Sequence, residues 1–385
     1  MLAHLIACGK VMDYGGEPVS PQAEDDDAAR AEGYEALFAP DRVHEVRLRV
    51  APSDLAALDA DPLTYVPADF EHEGDVVERV GLRLKGSSSF QTFDGKPAFR
   101  IRFDEFEEGV EYAWMERLSL NNMVNDAAMG REIVAYAAWN EAGMSAPRAA
   151  FAEVWVNDER FGLYAMVEPY DGHYLDRRYA ASDGDLWEAN DSADLTAEGI
   201  AHFDLACGGG EGLQLGDAAL ALRDAGEDFY ADADEVLVMD QFLDYWAWAM
   251  ATGNLDGYPY NLNDYFLYGN PDEGGRFEFS PWGLDETWDT GWAWQWGQGA
   301  AGFGCAADYE CNQLLRERTE EALAAYEEMD VPRMAEAFFL LSEEAMQRDP
   351  RMPWTPAEAL AKRDALVARM EAWPDRVRTS MAAGP

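Results

Sequence analysis

The chain has 385 residues, of which 48% are hydrophobic and 12% aromatic, so it carries enough apolar surface for a large core and is not a disordered protein. Its 75 acidic and 29 basic residues give a formal net charge of -46, which would repel the phosphate groups of nucleic acids and of anionic membrane surfaces. We therefore expect no nucleic-acid partner, and we interpret the acidity first as a well-solvated surface.

Residues 1–41 are rich in Pro, Gly, Asp and Ala without a sustained apolar period, which predicts a flexible N-terminal tail. Within it, Leu5-Ile6-Ala7-Cys8 is similar to a lipoprotein processing box, although the apolar run before Cys8 is short for a signal peptide. A true start further upstream and a chance match both remain open. In the first case the protein is an extracytoplasmic, secreted or cell-surface lipoprotein, and a lipid on Cys8 is its link to the membrane.

The next segment, from residue 42, has the alternation of half-buried strands. VHEVRLRV predicts one strand, LRLKGSSSF and KPAFRIRFDEF predict a hairpin-like pair, and AAFAEVWVNDERFGLYAMV predicts two strands around a turn at Asn157-Asp158. Between them, DAAMGREIVAYAAWNEAG predicts a helix with Asp126 as its N-cap and Gly143 as its stop. The first half is therefore predicted to be mainly antiparallel sheet.

The second half is predicted to be mainly helical, which makes the fold class α+β. DEVLVMDQFLDYWAWAMATG is a strongly apolar helical run, residues 254–288 contain short extended pieces and turns, and residues 291–385 have helical period and composition. Cys305 and Cys311 bracket a short polar stretch that we expect to be irregular. They predict a small disulfide loop in an oxidising compartment, with two free thiols as the alternative.

A first cluster suited to phosphate binding is Lys85-Gly86-Ser87-Ser88-Ser89, followed on the next predicted strand by Lys96. Small residues let backbone N–H groups approach phosphate oxygens, and a lysine can neutralise them as a point charge. The chain has only four lysines, at positions 10, 85, 96 and 362. Because two of these four flank one loop, the phosphate-binding interpretation is strengthened. The alternative interpretation is an ordinary hairpin loop, because Gly and Ser favour turns.

A second cluster follows the most apolar helix and contains Asp256, Asn261, Asn263 and Asp264. Phosphoryl transfer needs one carboxylate to orient the attacking hydroxyl and further oxygen ligands for magnesium. Asn and Asp also favour turns for local reasons, so these residues alone leave both interpretations open.

A third cluster is Pro281-Trp282-Gly283-Leu284-Asp285, after a predicted strand. An acid that follows a strand and a glycine matches the placement of a metal-binding Asp, and a carboxylate among aromatic side chains needs a partner or a metal. The alternative is a solvent-facing turn.

These blocks, together with LSLNN, GLYAMVEP, NLDGYPYNLNDYFLY and PWGLDETW, resemble the CotH (spore coat protein H) kinase family in the family's order, over about residues 43 to 290. The resemblance implies an atypical bilobal protein-kinase-like fold that binds ATP and Mg²⁺ and phosphorylates coat or other extracytoplasmic proteins on Ser or Thr. It places the catalytic core at residues 42–290, with residues 291–385 packed on it.

The resemblance also implies roles for single residues. Lys96 is similar to the phosphate-contacting lysine with Glu132 as its ion-pair partner, and Asp256 is similar to the catalytic Asp. Asp285 resembles the metal-binding Asp, and Asp264, beside Asn263, stands where the family usually has Asn. The remaining positions expected to meet the nucleotide are Lys85, Ser87, Ser88 and Glu168, the last of them on the segment between the lobes.

The sequence thus predicts a kinase that uses ATP and Mg²⁺ on a protein substrate. Two alternatives stay open: a catalytically inactive surface or coat assembly protein with the same fold, and a metal-dependent hydrolase that uses Asp256 and Asp285.

Overall fold

The computed structural model describes residues 33–258, 260–288 and 297–383, and within them the first half of the chain forms a closed barrel. The barrel strands are β1 (Val43–Val50), β2 (Val66–His72), β3 (Asp75–Lys85), β4 (Ala98–Arg102), β5 (Arg117–Asn121), β6 (Ala149–Val156) and β7 (Glu159–Val167). Their order around the barrel is β1-β2-β3-β4-β5-β7-β6. Neighbouring strands are antiparallel except for β1 and β6, whose parallel pairing closes the barrel.

The barrel packs against the helices through β6, which is buried on both faces. Ala152 and Val154 point into the barrel core, whereas Ala149 and Phe151 join the second core beneath the helices. Successive side chains of a strand point to opposite faces, so a strand between two cores needs apolar residues at nearly every position. This requirement explains the nearly continuous apolar sequence AAFAEVWV.

The second half adds a small sheet and most of the helices. The sheet strands are β8 (Leu186–Ala189), β9 (Phe203–Cys207), β10 (Tyr265–Asn270) and β11 (Arg276–Pro281), in the order β11-β10-β8-β9. The α-helices after β1, in chain order, are α1 (Pro52–Ala60), α2 (Arg131–Glu141), α3 (Gly172–Arg178), α4 (Leu213–Asp224), α5 (Phe229–Ala233), α6 (Met239–Thr252), α7 (Gly299–Ala307), α8 (Tyr309–Glu328), α9 (Val331–Gln347) and α10 (Pro356–Ala383). One hydrophobic core connects α2, α6 and α8–α10 with β6 and β7.

The helix predicted to start at Asp126 starts at Arg131 instead. The Asp126 carboxylate accepts hydrogen bonds from the backbone N–H groups of Ala128 at 3.0 Å, Gly130 at 2.7 Å and Arg131 at 2.8 Å. The acid therefore folds the preceding loop and satisfies the first N–H of the helix from a distance of five residues, rather than acting as a normal N-cap. Its effect is to fix the first turn of α2, where Glu132 lies.

The α+β fold class is confirmed, with sheet first and helices second. A disulfide joins Cys305 and Cys311. The stretch between them is not irregular, because it is the end of α7 and the start of α8, with Asp308 between them capping α8 through the N–H of Cys311.

The predicted tail covers residues 1–41, of which residues 1–32, including the candidate lipidation site Cys8, lie outside the described residues. The prediction is wrong for the last part of this range. Tyr34, Leu37 and Phe38 are buried against the barrel core, so the folded region begins before residue 42. In the described part of the chain, no helix is both long and apolar enough to cross a membrane.

Candidate functional site

A cleft of about 660 Å³ lies between the barrel and the second half of the chain. This volume falls within the roughly 300–1,000 Å³ typical of small-molecule sites. Its walls come from the loop after β3, the end of β5, the first turn of α2, β8, the loop after α6 and the turn after β11. All three sequence clusters therefore meet here, and the described lining includes the predicted site residues Lys85, Ser87, Ser88, Glu132, Asp256, Asn263, Asp264 and Asp285.

Lys85, Asn121 and Glu132 form a chain of hydrogen bonds along the barrel side of the cleft. The Lys85 ammonium donates to Asn121 Oδ1 at 2.6 Å, and Asn121 Nδ2 donates to both carboxylate oxygens of Glu132, at 2.9 and 3.0 Å. Lys85 Nζ also lies 5.7 Å from the ring centre of Trp282, within reach of a cation–π interaction. The lysine and the glutamate are thus held in place through one amide.

The serine loop after β3 is held by two asparagines of the LSLNN region. Asn122 Nδ2 donates to the backbone oxygen of Ser89 at 2.9 Å, and Asn125 Nδ2 donates to Ser88 Oγ at 3.1 Å. Gly86 has φ 112°, a backbone conformation that favours glycine. The loop is therefore fixed in a bend beside Lys85, with Ser87, Ser88 and Ser89 lining the cleft.

Asp256, Asp264 and Asp285 form the acidic side of the cleft. The carboxyl groups of Asp264 and Asp256 interact, and Asp256 accepts a hydrogen bond from the side-chain amide of Asn261. Gly283 has φ 57°, and a Cβ added there would come within 2.3 Å of Asp264 Oδ2. A glycine is therefore required before Asp285 both by the backbone and by the carboxylate packed against it.

Burial and mutual repulsion raise the pKa values of the acids in the cleft. Burial, and next the charge of Asp256, raise the pKa of Asp264 to about 8. Burial, and next Glu132 and Asp264, raise the pKa of Asp285 well above its usual range. Burial also raises the pKa of Glu132, against the opposing effect of its bonds to Asn121 and of the Lys85 charge. Burial, and next the charge of Arg100, lower the pKa of Lys85 to about 8, against the opposing effect of the nearby acids.

The donor set of the cleft fits a hard divalent cation. Seven of the described lining residues are carboxylates, at positions 132, 188, 191, 256, 264, 285 and 286, and one, Lys85, is a cation. Mg²⁺ prefers carboxylate, amide and water oxygens. A cation held by Asp264, Asp285 and the Asn263 amide oxygen would relieve the repulsion that raises the pKa of both acids.

Lys96 does not line the cleft, contrary to its predicted contact with phosphate. Its side chain is fully buried, and its ammonium donates to Asp349 Oδ2 and to the backbone oxygen of Leu163, both at 2.7 Å. It therefore has no pairing with Glu132 either. The lysine that shares the cleft with Glu132 is Lys85.

Glu168 does not line the cleft either, contrary to its predicted contact with the nucleotide. The carboxylate is fully buried and accepts hydrogen bonds from the Tyr34 hydroxyl at 2.6 Å, Arg177 Nη2 at 2.7 Å and Arg148 Nη2 at 3.0 Å. With these partners it acts as a structural ion pair at the end of β7.

Asn121 and Glu188 line the cleft but were not singled out from the sequence as site residues. Asn121 was within reach of prediction, because it ends a strand and precedes the helix that carries Glu132. Glu188 gave no signal, since it is one polar residue in the short strand LWEA.

Comparison with known proteins agrees with this arrangement of blocks. A family model described as CotH kinase protein matches residues 82–330, which is more than half of the chain. Inner spore coat protein H of Bacillus subtilis (strain 168) is 28% identical over 216 residues, covering 53% of this chain and 56% of that protein. The match therefore spans about half the length of the curated relative.

Proposed function

This chain belongs to the CotH kinase protein family, and from that membership we propose that it is an atypical protein kinase that transfers the γ-phosphoryl group of ATP to Ser or Thr of an extracytoplasmic protein. The proposal assigns the barrel and the helical half to the two lobes of a kinase-like fold. The observation that carries it is the meeting of Lys85, the serine loop, Asp256, Asp264 and Asp285 in one cleft.

The barrel side of the cleft would bind the triphosphate. Lys85 would donate hydrogen bonds to phosphate oxygens, and Asn121 and Glu132 would keep its ammonium in position. The bent backbone from Gly86 to Ser89 offers N–H groups and small side chains at the same wall. Binding of ATP to such a wall would require little further ordering of the protein, because Asn122 and Asn125 already fix the loop.

The opposite side would hold the cation and the acceptor. Asp285, Asp264 and Asn263 would hold Mg²⁺, which when bound neutralises charge on the phosphates. Asp256 would accept the proton of the Ser or Thr hydroxyl. The bond between the γ-phosphorus and the bridging oxygen of ADP breaks while a bond to the hydroxyl oxygen forms. Positioning and electrostatics supply most of the rate enhancement in this reaction class.

The coat location in the name of the Bacillus subtilis relative supports an extracytoplasmic place of action for this chain. The disulfide between Cys305 and Cys311 supports the same proposal, since structural disulfides persist in oxidising compartments.

The direct test is transfer of radioactive phosphate from γ-labelled ATP to a Ser- and Thr-containing acceptor protein, with Mg²⁺ present. We expect labelling by the wild-type protein and a loss of at least about a hundredfold for Asp285→Asn, because the cation loses a carboxylate ligand. Asp217→Asn, at an exposed acid of α4 away from the cleft, is the matched control and should label normally.

Circular dichroism of Asp285→Asn should show that the fold is kept. Release of free phosphate without acceptor labelling would indicate a hydrolase, and ATP binding without either product would indicate a silent assembly protein. Both results contradict the kinase assignment.

A further inference from the structure

Two of the five histidines of the chain meet at one end of the barrel, and neither of them lines the cleft. From His44, His72 and Glu73 we propose a second metal site, for a first-row divalent cation of the Zn²⁺ type, that ties β1 to the end of β2. This site is independent of the kinase assignment and does not include any cleft residue.

The two imidazoles lie close enough together to serve as a pair of metal ligands. His72 pairs with Val46 in the β1–β2 ladder, and His44 is two residues from Val46, so both histidines share the interior face at this end. His44 Nδ1 and His72 Nε2 are 3.1 Å apart. Two nitrogens that each lie about 2.05 Å from a tetrahedral zinc are about 3.3 Å apart, so little movement is needed to admit the ion.

The second nitrogen of each imidazole already has an oxygen partner. His44 Nε2 lies 3.4 Å from the backbone oxygen of Ala39, and His72 Nδ1 lies 2.8 Å from the Tyr112 hydroxyl. Metal-binding histidines usually donate their other N–H to a carbonyl, carboxylate or other oxygen, which fixes the ring and the tautomer. Without a metal, one of the two facing nitrogens donates a hydrogen bond to the other; a cation that takes the place of this proton would leave both outer N–H groups donating to oxygen.

Glu73 supplies the third ligand, and the ion would enter from solvent on the side of this exposed residue. One carboxylate oxygen of Glu73 and one nitrogen of each histidine all lie within 4.8 Å of one another. The two imidazoles are buried, at 0% and 5% exposure, whereas Glu73 is exposed at the β2–β3 turn. Two imidazoles and one carboxylate are a donor set that suits Zn²⁺ and disfavours Mg²⁺, with water completing the coordination.

The test is a zinc titration of the full chain after dialysis against a chelator. It is done in the Asp285→Asn background and with excess Mg²⁺, so that the acidic cleft does not contribute. We expect one zinc per chain and a rise in melting temperature with Zn²⁺, because an ion that binds the native state stabilises it. X-ray absorption at the zinc edge should show two imidazole ligands.

Variants separate this site from adventitious binding. His72→Gln should weaken zinc binding by at least about a hundredfold, and the exposed Glu73→Gln, which keeps both buried rings, by at least about tenfold. His202→Gln, at an exposed histidine elsewhere, is the matched control and should bind as the wild type does. Absence of a tight zinc, or equal weakening in His72→Gln and His202→Gln, overturns the proposal.

Discussion

At the scale of single residues, the site depends on an amide placed between two charged groups. The side-chain oxygen of Asn121 accepts a hydrogen bond from Lys85, and its nitrogen donates one to Glu132. Asn121 therefore couples the positions of these two side chains. In ordinary protein kinases a lysine and a glutamate make this contact directly. The intervening amide keeps the Lys85 ammonium free to turn its remaining N–H groups toward a ligand in the cleft.

The sequence placed two lysines beside one loop but did not distinguish their roles. Lys96 is drawn into the interior by Asp349, a partner 253 residues later in the chain. Long-range pairs of this kind leave no local pattern, whereas the acids of the cleft are close to turns and glycines that a sequence does reveal. Asp256, Asp264 and Asp285 were therefore predictable as a group, and the choice of Lys85 over Lys96 was not.

Asp171 provides a test of the residue-scale electrostatics away from the cleft. It caps α3 by accepting the N–H groups of His173 and Tyr174 through Oδ1, and burial raises its pKa to about 6. Between about pH 4 and pH 6 the folded chain keeps this proton while the unfolded chain releases it. Stability from this group is therefore present at low pH and is lost as the pH rises through about 6.

Asp171→Asn should remove that dependence and still cap the helix, because Asn and Asp are equivalent caps. We expect the free energy of unfolding of the wild type, relative to the variant, to fall between pH 4 and pH 6 by at most about 1.4 kcal/mol per pH unit. Urea unfolding across this range measures it. Parallel pH profiles for the two proteins would contradict the raised pKa.

At the scale of elements, the barrel is fastened to the helical half by the turn between α9 and α10. Asp349, in that turn, accepts from Lys96 on the barrel and from the backbone N–H of Leu163 in β7, at 2.7 and 2.9 Å. A Cβ at Gly162, which has φ 120°, would lie within 2.2 Å of the Asp349 carboxyl, so the strand approaches the turn as closely as glycine permits.

Breaking this pair should lower stability rather than abolish binding at the cleft. Lys96→Met leaves a buried carboxylate without its counter-charge, which costs about 3–5 kcal/mol in the free energy of unfolding. Lys96→Met combined with Asp349→Asn removes the charge and should recover part of the loss. Denaturant unfolding of both variants and of Asp349→Asn alone completes the cycle, and a cost for Lys96→Met below about 1 kcal/mol would contradict a buried pair.

Most of the elements follow from patterns in the sequence, and their arrangement does not. The alternation in VHEVRLRV and the Asn157-Asp158 turn, with φ 49° and 64°, gave the strands and one hairpin at the right positions. The parallel pairing of β1 with β6 that closes the barrel joins segments about a hundred residues apart, which no local period encodes. Asp126 was identified as a cap, but its bonds reach forward across a loop to the N–H groups of Gly130 and Arg131.

At the scale of the whole molecule, a chain with a net charge of -46 has to bind an anion if the proposed function is correct. The described lining of the cleft repeats this imbalance, with seven carboxylates and one lysine. ATP would therefore be repelled both by the general field and by the cleft unless divalent cations bind with it. We therefore expect ATP binding to depend strongly on Mg²⁺, more than the number of metal-binding side chains alone would suggest.

The measurement that tests the central claim most directly is the thermal unfolding of the protein with ATP, with and without Mg²⁺. We predict that ATP with Mg²⁺ stabilises the protein, by about 2.7 kcal/mol at a ligand concentration 100 times Kd, and that ATP without a divalent cation does not. Lys85→Met should lose this stabilisation, whereas Lys362→Met, at an exposed lysine of α10, should keep it. No stabilisation of the wild type, or equal stabilisation of Lys85→Met, would contradict a nucleotide site in this cleft.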